Sequence, residues 1–212
     1  MNIVENSWNN FTDEYAEKYL YDANQTLPQH LITKIFELFK KPSIVDIGCG
    51  NSRFFEYLQK TEEDFSYHGF DISEPLVKAA NKKFQNHSNF QCSMVSRQLT
   101  ELRNVKKKFD IAICIHVVEI CESPENLFSV MSSLSDHIGI IWYEYPRMEY
   151  SELEIKNYVS HDTAEKEVYS PYLRNRYSNH YLNYLLDRFN LKSIGSFGSL
   201  KDKIEIYEKK LL

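Results

Sequence analysis

The sequence predicts an α/β domain: a doubly wound, mostly parallel sheet of seven strands whose last two form an antiparallel hairpin. Three observations predict it. Short apolar runs rich in isoleucine and valine alternate with stretches of helical spacing. The first of those runs ends in Gly48-Cys49-Gly50, with a helical pattern directly after it. Near the end of the chain, two strand-like runs are separated by a glycine-containing turn.

Each element follows from its spacing. Residues 8–23 read as a helix, because Phe11, Tyr15 and Tyr19 recur every four positions and share one face. Residues 28–40 make a second helix, with Leu31, Ile32, Ile35, Phe36 and Leu38 apolar and Pro42 as its stop. Ser43–Ile47 is the first buried parallel strand, followed by a helix over 52–60. Tyr67–Ile72 and Asn89–Ser93 are the second and third strands, with a helix over 74–85 between them. Phe109–His116 is the fourth strand and Ile138–Tyr143 the fifth, joined by a helix over 124–135. Lys192–Phe197 and Lys203–Tyr207 close one edge as a hairpin. Residues 147–190 break the alternation; polar and aromatic, they read as a helical insertion over the carboxyl ends of the strands.

No repeat or linker divides the 212 residues, so a single domain is expected, in four parts: a helical cap over 1–41, a ligand-binding core over 42–146, a helical lid over 147–190 and the final strands over 191–212. The chain is 42% hydrophobic and 26% charged, ordinary for a globular protein, with a formal net charge of -5. Its lysines are scattered, and the densest group, Lys106 to Lys108, reads as a solvated turn; a nucleic-acid partner is therefore not expected. The N-terminus lacks a basic start and an apolar stretch, and the most apolar window, Phe109–Val118, is too short to span a bilayer. Cys49, Cys92, Cys114 and Cys121 form no C-x-x-C pair, which fits reduced thiols in the cytoplasm and argues against zinc.

The chemistry is concentrated in Val45-Asp46-Ile47-Gly48-Cys49-Gly50-Asn51-Ser52-Arg53. The two glycines allow a sharp turn and close approach to a ligand, and the following helix offers free N–H groups. Gly-x-Gly also begins the dinucleotide fingerprint, but that pattern needs a third small residue where this chain has Arg53. Asp46, two residues before the first glycine, would accept hydrogen bonds from an ammonium group or its bridging water and repel a pyrophosphate. Asp71 lies 21 positions beyond Gly50, at the end of the second strand, where an acidic side chain accepts the hydroxyls of a ribose.

Val45 to Gly50, Gly69 to Ser73 and Phe109 to Ile120 together resemble the class I S-adenosylmethionine-dependent methyltransferases, and more closely the small-molecule branch that includes the ubiquinone and menaquinone enzymes. The resemblance implies a Rossmann-like fold, S-adenosylmethionine as cofactor and S-adenosylhomocysteine as product. It implies that Asp46, Gly48 and Gly50 hold the methionine part, with Cys49 and Arg53 also cofactor-binding, that Asp71 takes the ribose, and that Ile72 flanks the adenine. Ile115 and His116 line the pocket where the fourth strand ends, and the segment from Trp8 through Tyr15 to Tyr19 closes over the cofactor. Where relatives carry an acidic residue after the third strand, this chain has Ser93 and Met94, so Ser93 or a backbone carbonyl takes its place beside the adenine.

His116 is the candidate general base, with pocket lining and plain packing as its other roles. Glu119 is expected to cap the next helix. Ile115-His116-Val117-Val118 replaces the Asn/Asp-Pro-Pro-aromatic segment of enzymes that methylate exocyclic base amines, and no acidic pair marks a magnesium site. Nine of the fifteen tyrosines lie between 143 and 184, a density suited to a pocket wall. Tyr143, Tyr145 and Arg147 follow the fifth strand, and Arg174, Arg176 and His180 are placed to meet an anionic acceptor. Methyl transfer to a small molecule, oxygen before nitrogen or carbon, is the expected function; a non-catalytic cofactor-binding protein and a nicotinamide oxidoreductase remain as alternatives.

Overall fold

The computed structural model describes residues 8–9, 12–18, 26–142, 150–159, 167–176, 179–199 and 202–210. Its main sheet has seven strands: β1 (Ser43–Ile47), β2 (Ser66–Asp71), β3 (Phe90–Met94), β4 (Ile111–Ile115), β5 (His137–Trp142), β8 (Leu191–Ser199) and β9 (Asp202–Lys209), in the order β3-β2-β1-β4-β5-β9-β8. The first five run parallel, β9 is antiparallel to β5, and β8 is antiparallel to β9. The predicted fold class is therefore the observed one, terminal hairpin included.

Strand alternation explains why both faces are covered. Ala112 and Cys114 of β4 point to one apolar cluster, and Ile111 and Ile113 to the other. Leu127, Phe128, Val130, Met131 and Leu134 of helix α5 (Pro124–Leu134) cover the first face, with Leu182 and Leu185 of α6 (Asn179–Arg188). The second face is covered by α2 (Thr26–Leu38), α3 (Arg53–Gln59) and α4 (Glu74–Phe84), through Leu31, Ile35, Phe55, Leu58, Val77 and Phe84. The short α1 (Asp13–Lys18) packs on α4, where Ala16, Leu76 and Ala79 form a small cluster of their own.

The insertion departs from its prediction. Residues Tyr150–Val159 (β6) and Glu167–Arg176 (β7) form a separate antiparallel pair rather than helices; only α6 is helical within 147–190 among the described residues. The cause is visible in residues 152–156, which read Glu-Leu-Glu-Ile-Lys, a period of two rather than 3.6. Polar composition had outweighed spacing in the helical expectation.

Strand order reverses beside β1, whose neighbours are β2 and β4. The connections from β1 and β4 leave for opposite faces of the sheet, opening a crevice beyond their carboxyl ends.

Candidate functional site

The turn after β1 is held at several points. Gly48 and Cys49 donate backbone N–H bonds to the Phe70 carbonyl at 2.7 and 3.1 Å, and Gly50 N–H donates to Asp71 Oδ2 at 2.7 Å. Gly48 has φ +78° and Gly50 φ +57°, the left-handed region that glycine enters at little cost. A Cβ at Gly48 would lie 2.3 Å from Val117 Cγ2, so the loop after β4 presses directly on the turn. Gly48→Ala is expected to destabilise the fold by about 2–4 kcal/mol, combining left-handed strain with overpacking, measured as a lower urea midpoint at unchanged slope.

Asp46 is 2% exposed. Tyr67 Oη–H donates to its Oδ2 at 2.7 Å, while Oδ1 is buried with no hydrogen-bond partner among the described residues. Burial, reinforced by the nearby Asp71 carboxylate, pushes the Asp46 pKa up to about 7. A buried carboxylate oxygen left open in this way is an acceptor waiting for a donor. Asp71 is fixed differently: its Oδ2 takes the Gly50 N–H and its Oδ1 the Ser73 N–H at 2.8 Å. The two acids therefore stand at adjacent strand ends, one anchored and one half-free. This donor and acceptor set fits a ligand that carries an ammonium group and a ribose.

Asn51, which the sequence did not single out, ties the N-terminal segment to this turn. Its Nδ2 donates to the carbonyls of Ala16 at 3.0 Å and Glu17 at 3.4 Å. Ser73 Oγ donates to the Trp8 carbonyl, and Glu74 N–H to Asn9 Oδ1 at 3.0 Å. The early segment thus lies against the glycine turn and the start of α4. Tyr15 falls within α1, its side chain outside the described residues, as are Tyr19, Tyr143, Tyr145 and Arg147. Arg174 and Arg176 lie on β7, opposite Glu152 and Tyr150 in register, and His180 on α6; their side chains are not among those described.

On the side of β3, Ile72 packs against the first apolar cluster and Met94 is exposed. Ser93 Oγ meets His68 Nε2 at 3.0 Å, and burial lowers the His68 pKa to about 4, so this imidazole is neutral. Arg97 pairs with Glu122, joining the loops that follow β3 and β4. Arg53 extends along α3, pairing with Glu56 and donating from Nε to Tyr57 Oη at 3.3 Å.

At the end of β4, Ile115 is half-buried and His116 takes φ +54° while its N–H bonds the Ile141 carbonyl at 2.7 Å. Its Nδ1 sits 3.3 Å from Glu119 Oε1; the histidine side chain is 35% exposed and the glutamate 3%. The expected capping role of Glu119 is corrected: α5 begins later, at Pro124, and Ser123 Oγ caps it by accepting the Asn126 N–H at 3.1 Å. Glu119 instead sits in the turn between β4 and α5, buried beside the His116 ring.

Fold and site define an α/β domain with two buried acids at a glycine turn, a turn that suits a cationic ligand rather than a pyrophosphate. A family model described as a methyltransferase domain matches residues 19–194. The mitochondrial ubiquinone biosynthesis O-methyltransferase of Saccharomyces cerevisiae is 23% identical over 130 residues, 61% of this chain and 41% of that one. The chain spans less than half the length of the curated relatives it matches. The CcbJ methyltransferase of Streptomyces caelestis superposes with a TM-score of 0.72 at 11% identity, over 100% of both chains. Magnesium protoporphyrin IX methyltransferase from Synechocystis, solved with S-adenosylmethionine bound, gives 0.61 at 15% identity, over 96% of this chain and 88% of that one. The chain belongs to the methyltransferase domain family.

Proposed function

We propose that the chain methylates a small-molecule acceptor, with oxygen preferred over nitrogen or carbon, and that His116 is the general base. The observation that carries this reading is the His116–Glu119 pair at the end of β4. A buried carboxylate faces Nδ1 of a partly exposed ring, and Nε2 is proposed as the atom that takes a proton. Val117, the next residue, touches the Gly48 turn, so the base stands beside the site of the cofactor.

S-adenosylmethionine, when bound, supplies a methyl on a positively charged sulfur that leaves as a neutral thioether. The protein's residues do the rest. Asp46, Gly48, Cys49 and Gly50 surround the methionine part, Asp71 accepts from the ribose, and Ile72, Ser93 and Met94 border the adenine. Glu119 fixes the tautomer and plane of His116, which removes the acceptor proton as the new bond forms. Tyr143, Tyr145, Arg147, Arg174, Arg176 and His180 form the acceptor side, where the arginines favour a carboxylated or phosphorylated compound. None of the four cysteines is in a disulfide, and no helix among the described residues is long and apolar enough to cross a membrane. A cytoplasmic setting with no nucleic-acid partner fits both, together with the net charge of -5.

The test is turnover of a panel of phenols, alcohols, amines and carbon acids, each with and without an anionic group. O-methyl products from anionic phenols are expected. A chain that binds cofactor yet methylates nothing in the panel removes the reading. With a phenol acceptor, His116→Gln is expected to lower kcat by about 10²–10³ near neutral pH. Activity should recover as the pH nears the acceptor's own pKa of about 10, because the acceptor then ionises unaided. Loss without alkaline recovery would assign His116 to packing.

A further inference from the structure

We propose that Cys49 and Cys92 form an oxidation site, an intramolecular disulfide whose closure draws the glycine turn out of its cofactor-binding shape. The two Sγ atoms lie 3.6 Å apart across three parallel strands, although 43 residues separate them in the chain. A missing side chain permits the approach. Gly69 is opposite Cys92 in the β2–β3 register, and a Cβ built there would lie 2.7 Å from Cys49 Sγ and 3.0 Å from its Cβ. Cys49 therefore lies over the bare backbone of Gly69 and reaches the thiol on the next strand. Cys114 and Cys121, the other thiols, stand on the loop and strand of β4, away from this contact.

A disulfide needs about 2.05 Å between sulfurs, so closure requires a movement of roughly 1.5 Å. The strand residue cannot supply it. Cys92 is buried, its neighbours Gln91 and Ser93 are registered against β2, and its carbonyl accepts from Asn81 Nδ2 at 3.1 Å. Cys49 is partly exposed and sits between two glycines with left-handed φ, so the turn is the part that yields. A shift there strains the Gly50 N–H bond to Asp71 and moves the backbone that surrounds the methionine part.

The chemistry balances with a peroxide as oxidant. The Cys49 thiolate attacks a peroxide oxygen and becomes a sulfenic acid, releasing hydroxide or water. The Cys92 thiol then displaces water from that sulfur, so that two thiols lose two electrons and two protons and one peroxide becomes two waters. Burial pushes the Cys49 thiol pKa well up, which limits the thiolate near neutral pH and makes closure faster as the pH rises. The bound cofactor covers the turn and protects it.

The inference rests on the cofactor site placed at this turn, and the experiment separates the two. The reduced full chain is titrated with S-adenosylmethionine by calorimetry, then treated with hydrogen peroxide, mapped by mass spectrometry and titrated again. Expected are a peptide linking Cys49 to Cys92 with the loss of two hydrogens, about a hundredfold weaker binding, and recovery with dithiothreitol. With S-adenosylmethionine at ten times its Kd, cross-linking should slow about tenfold by mass action. Cys92→Ser and Cys92→Ala should bind normally and keep their affinity through the same treatment. Absence of the 49–92 link overturns the proposal, as does a link that leaves affinity unchanged or an equal loss in the Cys92 variants. Failure of the reduced protein to bind counts against the cofactor site alone, and the mass map still decides the disulfide.

Discussion

Asp71→Asn is expected to weaken S-adenosylmethionine and S-adenosylhomocysteine alike, by about a hundredfold to a thousandfold, because it removes a charged acceptor that also holds the turn. The equality matters, since the two ligands share the ribose and differ only at sulfur. In the native site both carboxylate oxygens are occupied by backbone donors, Gly50 N–H at 2.7 Å and Ser73 N–H at 2.8 Å. Burial raises the pKa of this carboxyl, while hydrogen bonds from Ser73, Gly50 and Ile72 act to lower it. Asparagine keeps one acceptor and turns an NH2 toward the other donor, so one buried N–H loses its partner. The cost to stability should be about 1–3 kcal/mol. Since Ser73 makes no side-chain cap for α4, part of that loss falls on the start of the helix. Paired calorimetric titrations and urea melts read both effects. Unchanged affinity for both ligands would remove Asp71 from the site.

The contrast with Asp46 also shows what the sequence makes legible. Both acids, the two glycines and the five parallel strands can be read from the chain, because each is a local pattern: apolar runs four to six residues long, a turn forced by Gly-x-Gly, an acid where a strand ends. What escapes is contact between distant residues. Tyr67 reaches Asp46 from the neighbouring strand, and Asn51 reaches the Ala16 carbonyl 35 residues earlier. Neither spacing has a periodic signature, and both depend on register set only once the sheet has assembled. Glu119 is an intermediate case. Its place three residues after His116 was visible, but a cap was the local explanation, and only the later start of α5 turns it toward the imidazole. The β6–β7 pair was missed for the opposite reason. Its period-two signal lies in residues 152–156, diluted by tyrosines and charges that suit either structure.

Asp46→Asn should weaken cofactor binding and at the same time stabilise the protein at alkaline pH. The native carboxyl titrates at about 7 in the fold, because burial and Asp71 disfavour its charge, against an ordinary value of 3.8. The folded state therefore holds the proton more tightly than the unfolded chain. The resulting stabilisation is complete below about pH 4 and fades as the pH climbs through 7, leaving a buried anion whose Oδ1 has no partner among the described residues. A gap of that size corresponds to about 4 kcal/mol above pH 8. Asparagine is neutral throughout and still offers Tyr67 an acceptor oxygen, so the variant's advantage should be several kcal/mol at pH 8.5 and vanish near pH 4. Binding runs the other way. An ammonium group arriving at Oδ1 needs the anion, so affinity in the variant should fall about a hundredfold or more. In the native protein below pH 7, binding should release a proton, seen as a calorimetric enthalpy that depends on the ionisation enthalpy of the buffer. The energy that the native fold gives up to keep Asp46 charged is then the same energy that the ligand recovers, a trade of stability for function at one oxygen atom. A variant that is less stable than the native protein at pH 8.5, or a binding enthalpy indifferent to buffer at pH 6, would show that Asp46 is a structural carboxylate and that the cation is held elsewhere.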